Sequence, residues 1–425
     1  MNVHEIALGA LLHDIGKFMQ RAHPPGQGLG AQSRGMADFI CPSVNGRHSH
    51  QHVLYTNEFV ETMPFTPPGL DKSAVANLAS YHHRPDTEAQ RFITEADRLS
   101  SGMEREEMQE DETDPRVRFR RVRLLSVAAV TGRPEADPAG AGSFRLRPLS
   151  PDTAFPVSFS AETDLTGEYR SLWDAFAAEW AQNRCPAPFG FTARALSALE
   201  RHTWCIPSAT NALPDISLFD HLKTTAAIAV CLADEAADRD APFLLTAGDL
   251  AGIQRYLFDI KPGTGGLARR LRARSFHVAA FSQAVWLGIL RRLDLPPTQV
   301  ILSAGGKFHL MLPNTPGVRT VLEESERAAS EWLMTETSGE AALALASIPC
   351  TRADLSSFSA TLSRLHHALR LERDRAGRTR LLRKGVWREE SFVLPALDVR
   401  DGLCRCCGRR GGTLSTTPDG DEELK

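Results

Sequence analysis

The chain has 425 residues, 42% hydrophobic and 24% charged, with 49 Lys and Arg against 52 Asp and Glu and a formal net charge of −3. That length exceeds one ordinary core, so a multidomain globular protein is expected, and the near-neutral balance excludes a uniformly basic nucleic-acid binder. There is no apolar run of about eighteen residues and no basic-then-apolar leader, and five of the eight cysteines stand alone, which together point to a reducing cytoplasm and away from membrane or secretion.

In the segment Ala10-Leu11-Leu12-His13-Asp14-Ile15-Gly16-Lys17 a histidine and an aspartate adjoin on an otherwise apolar stretch. An imidazole nitrogen beside a carboxylate oxygen is how a divalent-metal site begins. The spacing predicts a helix over 11–21, with Lys17 on the face of His13, where it either meets a phosphate oxygen or is solvated. His4 projects to the opposite side. Glycines over 26–35 and Pro42 mark a loop.

A second helix, about 50–63, puts His52, Tyr55 and Phe59 on one face, so His52 points inward. A third, about 71–83, carries His82 on the stripe of Val75 and Leu78, with His83 turned about 100° toward its edge. A fourth, about 89–100, places Asp97 four residues after Ile93, on a face where a carboxylate needs a cation or hydrogen bonds. Singly, each could be a hydrogen-bonded core group. Together, His13, Asp14, His52, His82 (or its neighbour His83) and Asp97 argue for one metal centre. Nitrogen and oxygen donors without cysteine favour manganese, nickel, cobalt or zinc.

Residues 104–114 form an acidic run, 116–130 a basic, strand-like stretch and 134–142 a turn-rich segment, read together as a linker with a hairpin over 105–160. Trp173, Phe176, Trp180 and Leu196 then recur at helical spacing, opening a helical connector over 161–240. Ser217 or Asp215 can cap a helix lined on one face by Leu222, Ala226 and Ala229; His221 and Lys223 on it invite a functional reading, with a structural one, in which they bind a domain junction together, preferred.

Over 241–400 the pattern is strand, helix, strand, strand, helix, strand, with Ala304-Gly305-Gly306 as a hairpin turn, which predicts a split βαβ, ferredoxin-like sheet. Cyclases and polymerases use such a palm, with acids on the first strand and the central hairpin holding two metals. Asp249 sits where the first acid would, but Gly305-Gly306-Lys307-Phe308 offers no second one. The sheet is therefore expected to be non-catalytic, with Gly248, Asp249 and Ser275 as candidate nucleotide contacts. Arg269, Arg270, Arg272 and Arg274 form a basic stretch too dense to share one face. Near the C-terminus, over 401–425, Cys404 and Cys407 make half of a zinc ribbon knuckle.

The runs His13-Asp14-Ile15-Gly16-Lys17-Phe18, His52 to Phe59, Tyr81-His82-His83 and Glu95 to Gly102, with the segment Asp215 to Ala227, resemble the permuted HD nuclease domain and following region of one family. That family is the large subunit of type III CRISPR effector complexes, subtype A fitting best. The resemblance implies an α+β multidomain chain: an HD domain over 1–104, a linker, a helical connector, a first palm and the start of a zinc ribbon. It implies a metal-dependent nuclease for single-stranded DNA, with catalytic His13, Asp14 and Lys17, working with other effector subunits, guide RNA and target RNA. In the family a second palm bearing Gly-Gly-Asp-Asp joins the first to make cyclic oligoadenylates from ATP. No such motif occurs here, so the chain is expected to end before that palm, and zinc is expected to need cysteines further on. Two rivals remain: an HD phosphohydrolase of small nucleotides, and a scaffold with an inactive HD site.

Overall fold

A computed structural model of the protein describes residues 2–24, 27–44, 46–104, 119–130, 142–159, 164–210, 213–260, 266–337 and 339–376, with short stretches between 378 and 424. Helices α1 (Val3–Leu12) and α2 (Ile15–Ala22) replace the single helix expected over 11–21. The break falls at His13 and Asp14, and a hydroxyl from outside takes up the polar groups it frees. Thr56 Oγ1 donates to the His13 carbonyl at 2.8 Å and accepts from the Gly16 amide at 3.1 Å. Glycine is required at position 16, since a Cβ there would lie 2.0 Å from the His52 carbonyl oxygen. Its absence lets α2 cross α3 (His52–Glu61) at backbone contact.

Helix α4 (Lys72–Ser80) starts at Asp71, whose side chain accepts from the Ser73 amide. It ends sooner than its apolar stripe suggests, so His82 and His83 stand in the turn that follows. That turn is tied to α5 (Glu88–Glu104) by Thr94 Oγ1, which donates to the His82 carbonyl at 2.7 Å. The basic stretch expected as a strand is not one in its described part: Leu125 makes an isolated bridge to Ser143, and Val127–Val130 is a helical turn. The acidic run from 105 and the turn-rich residues 134–141 lie outside the described residues.

Helices α6 (Thr166–Trp180) and α7 (Pro188–Thr203) close over the first helices through rings. Trp173 meets Phe18 edge-on at 5.0 Å, and Trp180 meets Phe59 at 5.2 Å. Helix α8 (Leu218–Leu232) is apolar on nearly every side and buried accordingly. It is capped by Ser217, which accepts from the Asp220 amide at 3.0 Å, and it packs against α1 and α5 as well as against the sheet.

The sheet comprises β1 (Phe243–Ala251), β2 (Val300–Ala304), β3 (Lys307–Pro313) and β4 (Ala342–Cys350), antiparallel throughout in the order β2-β3-β1-β4. Between them run α9 (Leu267–Arg292) and α10 (Pro316–Thr337), and α11 (Phe358–Asp374) follows against β4. Central β1 pairs with β3 from Phe243 opposite Pro313 to Asp249 opposite Lys307. Gly305 and Gly306 turn the hairpin with φ of +59° and +85°, angles that a side chain would resist. Buried apolar residues from Ile6 to Leu369 form one contiguous cluster, so the helices and the sheet share a core. Among the described residues no helix is long and apolar enough to cross a membrane.

Candidate metal centre

The break after α1 delivers Asp14 into a ring of imidazoles. Asp14 Oδ1 lies 3.0 Å from His52 Nε2 and 3.7 Å from His82 Nε2. Asp14 Oδ2 lies 3.4 Å from both His13 Nε2 and His221 Nε2. Asp97 of α5 faces the second pair, with Oδ1 3.2 Å from His221 and 3.7 Å from His13. Two donor groups result, Asp14 with His52, His82 and His83, and Asp14 with His13, Asp97 and His221. Within each group the donor atoms lie within 4.8 Å of one another, and Asp14 belongs to both.

Backbone carbonyls fix two of the rings. His13 Nδ1 bonds the Ala10 carbonyl at 2.7 Å and His82 Nδ1 bonds that of Ala79 at 2.8 Å. A carbonyl can only accept, so Nδ1 carries the proton and Nε2 turns a lone pair to the centre. His221 Nδ1 is held by Ser100 Oγ at 3.2 Å, and His83 Nε2 lies 3.2 Å from His52 Nε2.

The electrostatics are those of charges packed in a largely buried site. Burial works against the Asp14 carboxylate, yet Lys17, His13 and His52 overcome it and hold Asp14 well below the usual range. Burial likewise opposes Asp97, and its contacts with His13 and His221 prevail. Burial depresses His82 to about 3 and lowers His83 and His52, so these three are neutral. His13 is raised, because Asp14 and Asp97 outweigh its burial.

These residues fit a divalent ion. His13 Nε2 and His82 Nε2 are buried and hydrogen-bond to nothing, while facing carboxylate oxygens. Lone pair against lone pair is repulsive unless a proton or a cation lies between. Matching of the HD domain model to residues 1–102 implies divalent-metal binding as well.

Lys17 is not a solvated helix charge: its ammonium pairs with Asp14 and donates to the Ser208 carbonyl at 3.3 Å. His4 stands apart, 3.4 Å from Asp294. A cavity of about 400 Å³ opens beside the centre, lined by Lys17, His50, His52, His83, Asp97 and Phe119 among others. Sequence reasoning treated His221 as a junction residue, whereas it is fully buried in the second donor group. The signal was its stripe: His221, Thr225 and Ile228 fall on one helical face, and all are fully buried.

The sheet's candidate residues lie elsewhere. Asp249 is buried at the end of β1, its Oδ2 3.2 Å from Arg373 Nη1 of α11. Gly248 lies under the Phe308 ring, which a Cβ would meet at 2.1 Å, so packing accounts for that glycine. Ser275 is exposed on α9. Arg274 is bound to backbone, donating to the Tyr256 and Asp259 carbonyls, whereas Arg269, Arg270 and Arg272 are exposed. Cys404 is half-buried, and Cys407 lies outside the described residues.

Two family models match the chain, the HD domain over residues 1–102 and Csm1 subunit domain B over residues 242–384. A protein of Thermococcus onnurineus named CRISPR system single-strand-specific deoxyribonuclease Cas10/Csm1 (subtype III-A) is 30% identical over 382 residues, 81% of this chain and 43% of its own. The protein of that name in Enterococcus italicus is 25% identical over 394 residues, 85% of this chain and 48% of its own. The crystal structure of a Csm1–Csm4 cassette in complex with cA4 superposes with a TM-score of 0.60 at 26% identity, covering 88% of this chain and 49% of that one. The chain thus spans about half the length of the relatives it matches. Helical HD domain, antiparallel sheet and these likenesses agree: the chain belongs to the large-subunit family of type III CRISPR effector complexes.

Proposed function

We propose that this chain carries the nuclease centre of a type III effector and hydrolyses phosphodiester bonds of single-stranded DNA. The observation that carries this reading is Asp14, one carboxylate shared by two groups of buried nitrogen and oxygen donors. His52, His82 and His83 would hold one ion with Asp14, and His13, Asp97 and His221 a second. The donor set suits manganese, nickel or cobalt. Such ions, when bound, neutralise charge on a phosphate and acidify water.

The chain's own residues do the rest. Carbonyl-bonded Nδ1 atoms keep His13 and His82 in one tautomer, aimed at the centre. Lys17 sets an ammonium on the cavity wall, where a phosphate oxygen would enter. The names of the relatives, single-strand-specific deoxyribonucleases, support this substrate over small nucleotides.

The sheet with its β2-β3-β1-β4 order is read as the first palm of a cyclic oligoadenylate synthase. Its hairpin bears Lys307 opposite Asp249 and no carboxylate, so ATP would be turned over only with a second palm. Zinc would complete its shell at Cys404 and Cys407 with further cysteines. Guide RNA, target RNA and the other effector subunits are the proposed partners, in the cytoplasm. The domain division we propose runs 1–104, 105–160, 161–240, 241–400 and 401–425, with His221 lent by the third part to the first.

The test is manganese-dependent cleavage of a labelled single strand by the native chain, Asp14→Ala and His13→Ala. Cleavage by the native protein and loss in both variants is expected. Equal cleavage by all three eliminates this centre, and turnover of mononucleotides but not DNA would favour a small-nucleotide phosphohydrolase.

A further inference from the structure

The cavity beside Asp14 is lined by cations, imidazoles, hydroxyls and the Asp97 carboxylate, with Lys17, Arg21, His50 and Ser208 among them, and on that wall stands one phenyl ring, Phe119. Among the described residues Phe119 belongs to neither apolar cluster nor to the side chains packed against them. It is half-buried in the mouth of the cavity, where it shares the lining with Lys17, His50 and Ser208.

Its position is nonetheless fixed. Arg120, the next residue, donates through Nη2 to the Gln20 carbonyl at 3.1 Å and the His23 carbonyl at 2.6 Å, both at the end of α2. The Arg120 carbonyl accepts from the Leu165 amide at 2.9 Å, so both sides of residue 120 are anchored. The Arg120 guanidinium stands 5.2 Å from the centroid of the Phe119 ring. A ring held this way, near an ammonium and a hydrolytic centre, has the makings of a base-stacking platform: every nucleobase has a π-face, and only an unpaired strand can present one.

We propose that Phe119 is a nucleobase-binding residue, on which one base of the single strand stacks while its phosphate reaches the Asp14 centre. The proposal rests on the nuclease reading and deepens it. Stacking is indifferent to base identity, so the site would select for strandedness and not for sequence.

The experiment compares steady-state cleavage, with manganese, of an ordinary deoxyoligonucleotide and one of equal length bearing abasic residues. Native chain, Phe119→Ala, Phe119→Leu and Phe119→Trp are used, each first checked for folding by circular dichroism and for manganese binding by calorimetry. Phe119→Ala and Phe119→Leu raise KM for the ordinary strand about tenfold with kcat within about twofold, and Phe119→Trp keeps the native KM. The abasic strand shows the raised KM already with the native chain, and the alanine variant adds nothing to it. A native KM in the alanine and leucine variants, or an equal loss on both strands, overturns the platform. If the native chain cleaves nothing, the nuclease reading fails by itself. Binding of fluorescent oligothymidylate in EDTA then decides the platform: weakening by Phe119→Ala supports it, unchanged binding overturns it.

Discussion

Asp14 and His221, from the break after the first helix and from a helix of the connector, meet with Oδ2 3.4 Å from Nε2, both side chains buried. The contact places His221 among the candidate donors, by geometry the equal of His13. His221→Ala is expected to weaken manganese binding by more than the roughly 10–100-fold typical of an outer-shell partner, and to lower strand cleavage with it. Calorimetric titration checks this, and native affinity in the variant would return His221 to a packing role.

Asp14 lies in both donor groups, whereas His82 lies in one. Asp14→Asn is therefore expected to abolish binding of every ion, while His82→Ala removes one of two and leaves the group of His13, Asp97 and His221 able to bind. Manganese stoichiometry by calorimetry or metal analysis distinguishes the two. Loss of a single ion in both variants would show that Asp14 is not shared.

Gly16→Ala forces a Cβ to within 2.0 Å of the His52 carbonyl oxygen. The helix-propensity gain of about 1 kcal/mol is smaller than the cost of prising apart two backbones, so a net loss of roughly 2 kcal/mol is expected. Urea unfolding measures it. Cleavage should fall further than stability does, because the same displacement carries His52 away from Asp14.

Glu326 on α10 is pushed up to about 7 by burial, with the Glu372 and Glu323 carboxylates adding to it. Raised above its ordinary 4.5, the folded-state pKa means the folded chain holds this proton more tightly than the unfolded chain. The resulting stability is full below pH of about 4.5 and is lost as pH rises through about 7. Glu326→Gln should flatten the decline in melting temperature between pH 5 and pH 8, and an identical decline in native and variant would refute the assignment.

Much of this was legible from residue spacing. Periodicity located His52 and Asp97 on inward faces, and the Gly305-Gly306 pair marked the hairpin because few other residues accept positive φ twice in succession. Less legible was whatever depended on a distant partner. The break at His13 is made possible by Thr56 and Gly16 acting together, and no local pattern in 11–21 contains Thr56. His82 was expected inside a helix, yet lies in the turn after Ser80, where the Ala79 carbonyl can still reach its ring. His221 was set down as a junction residue in preference to a functional one, because burial alone does not tell a donor from a packed ring. Phe119 gave no signal, since a lone aromatic in a charged stretch has no periodicity to betray it.

Helix α8 brings His221 to the centre and, two residues on, ties Lys223 Nζ to the Ile301 carbonyl of β2 at 3.1 Å. A nascent chain that has left the ribosome only as far as the fifth helix therefore owns an open cage lacking one corner. The second donor group is therefore completed only once synthesis has passed α8, as the sheet that this helix docks upon is being made.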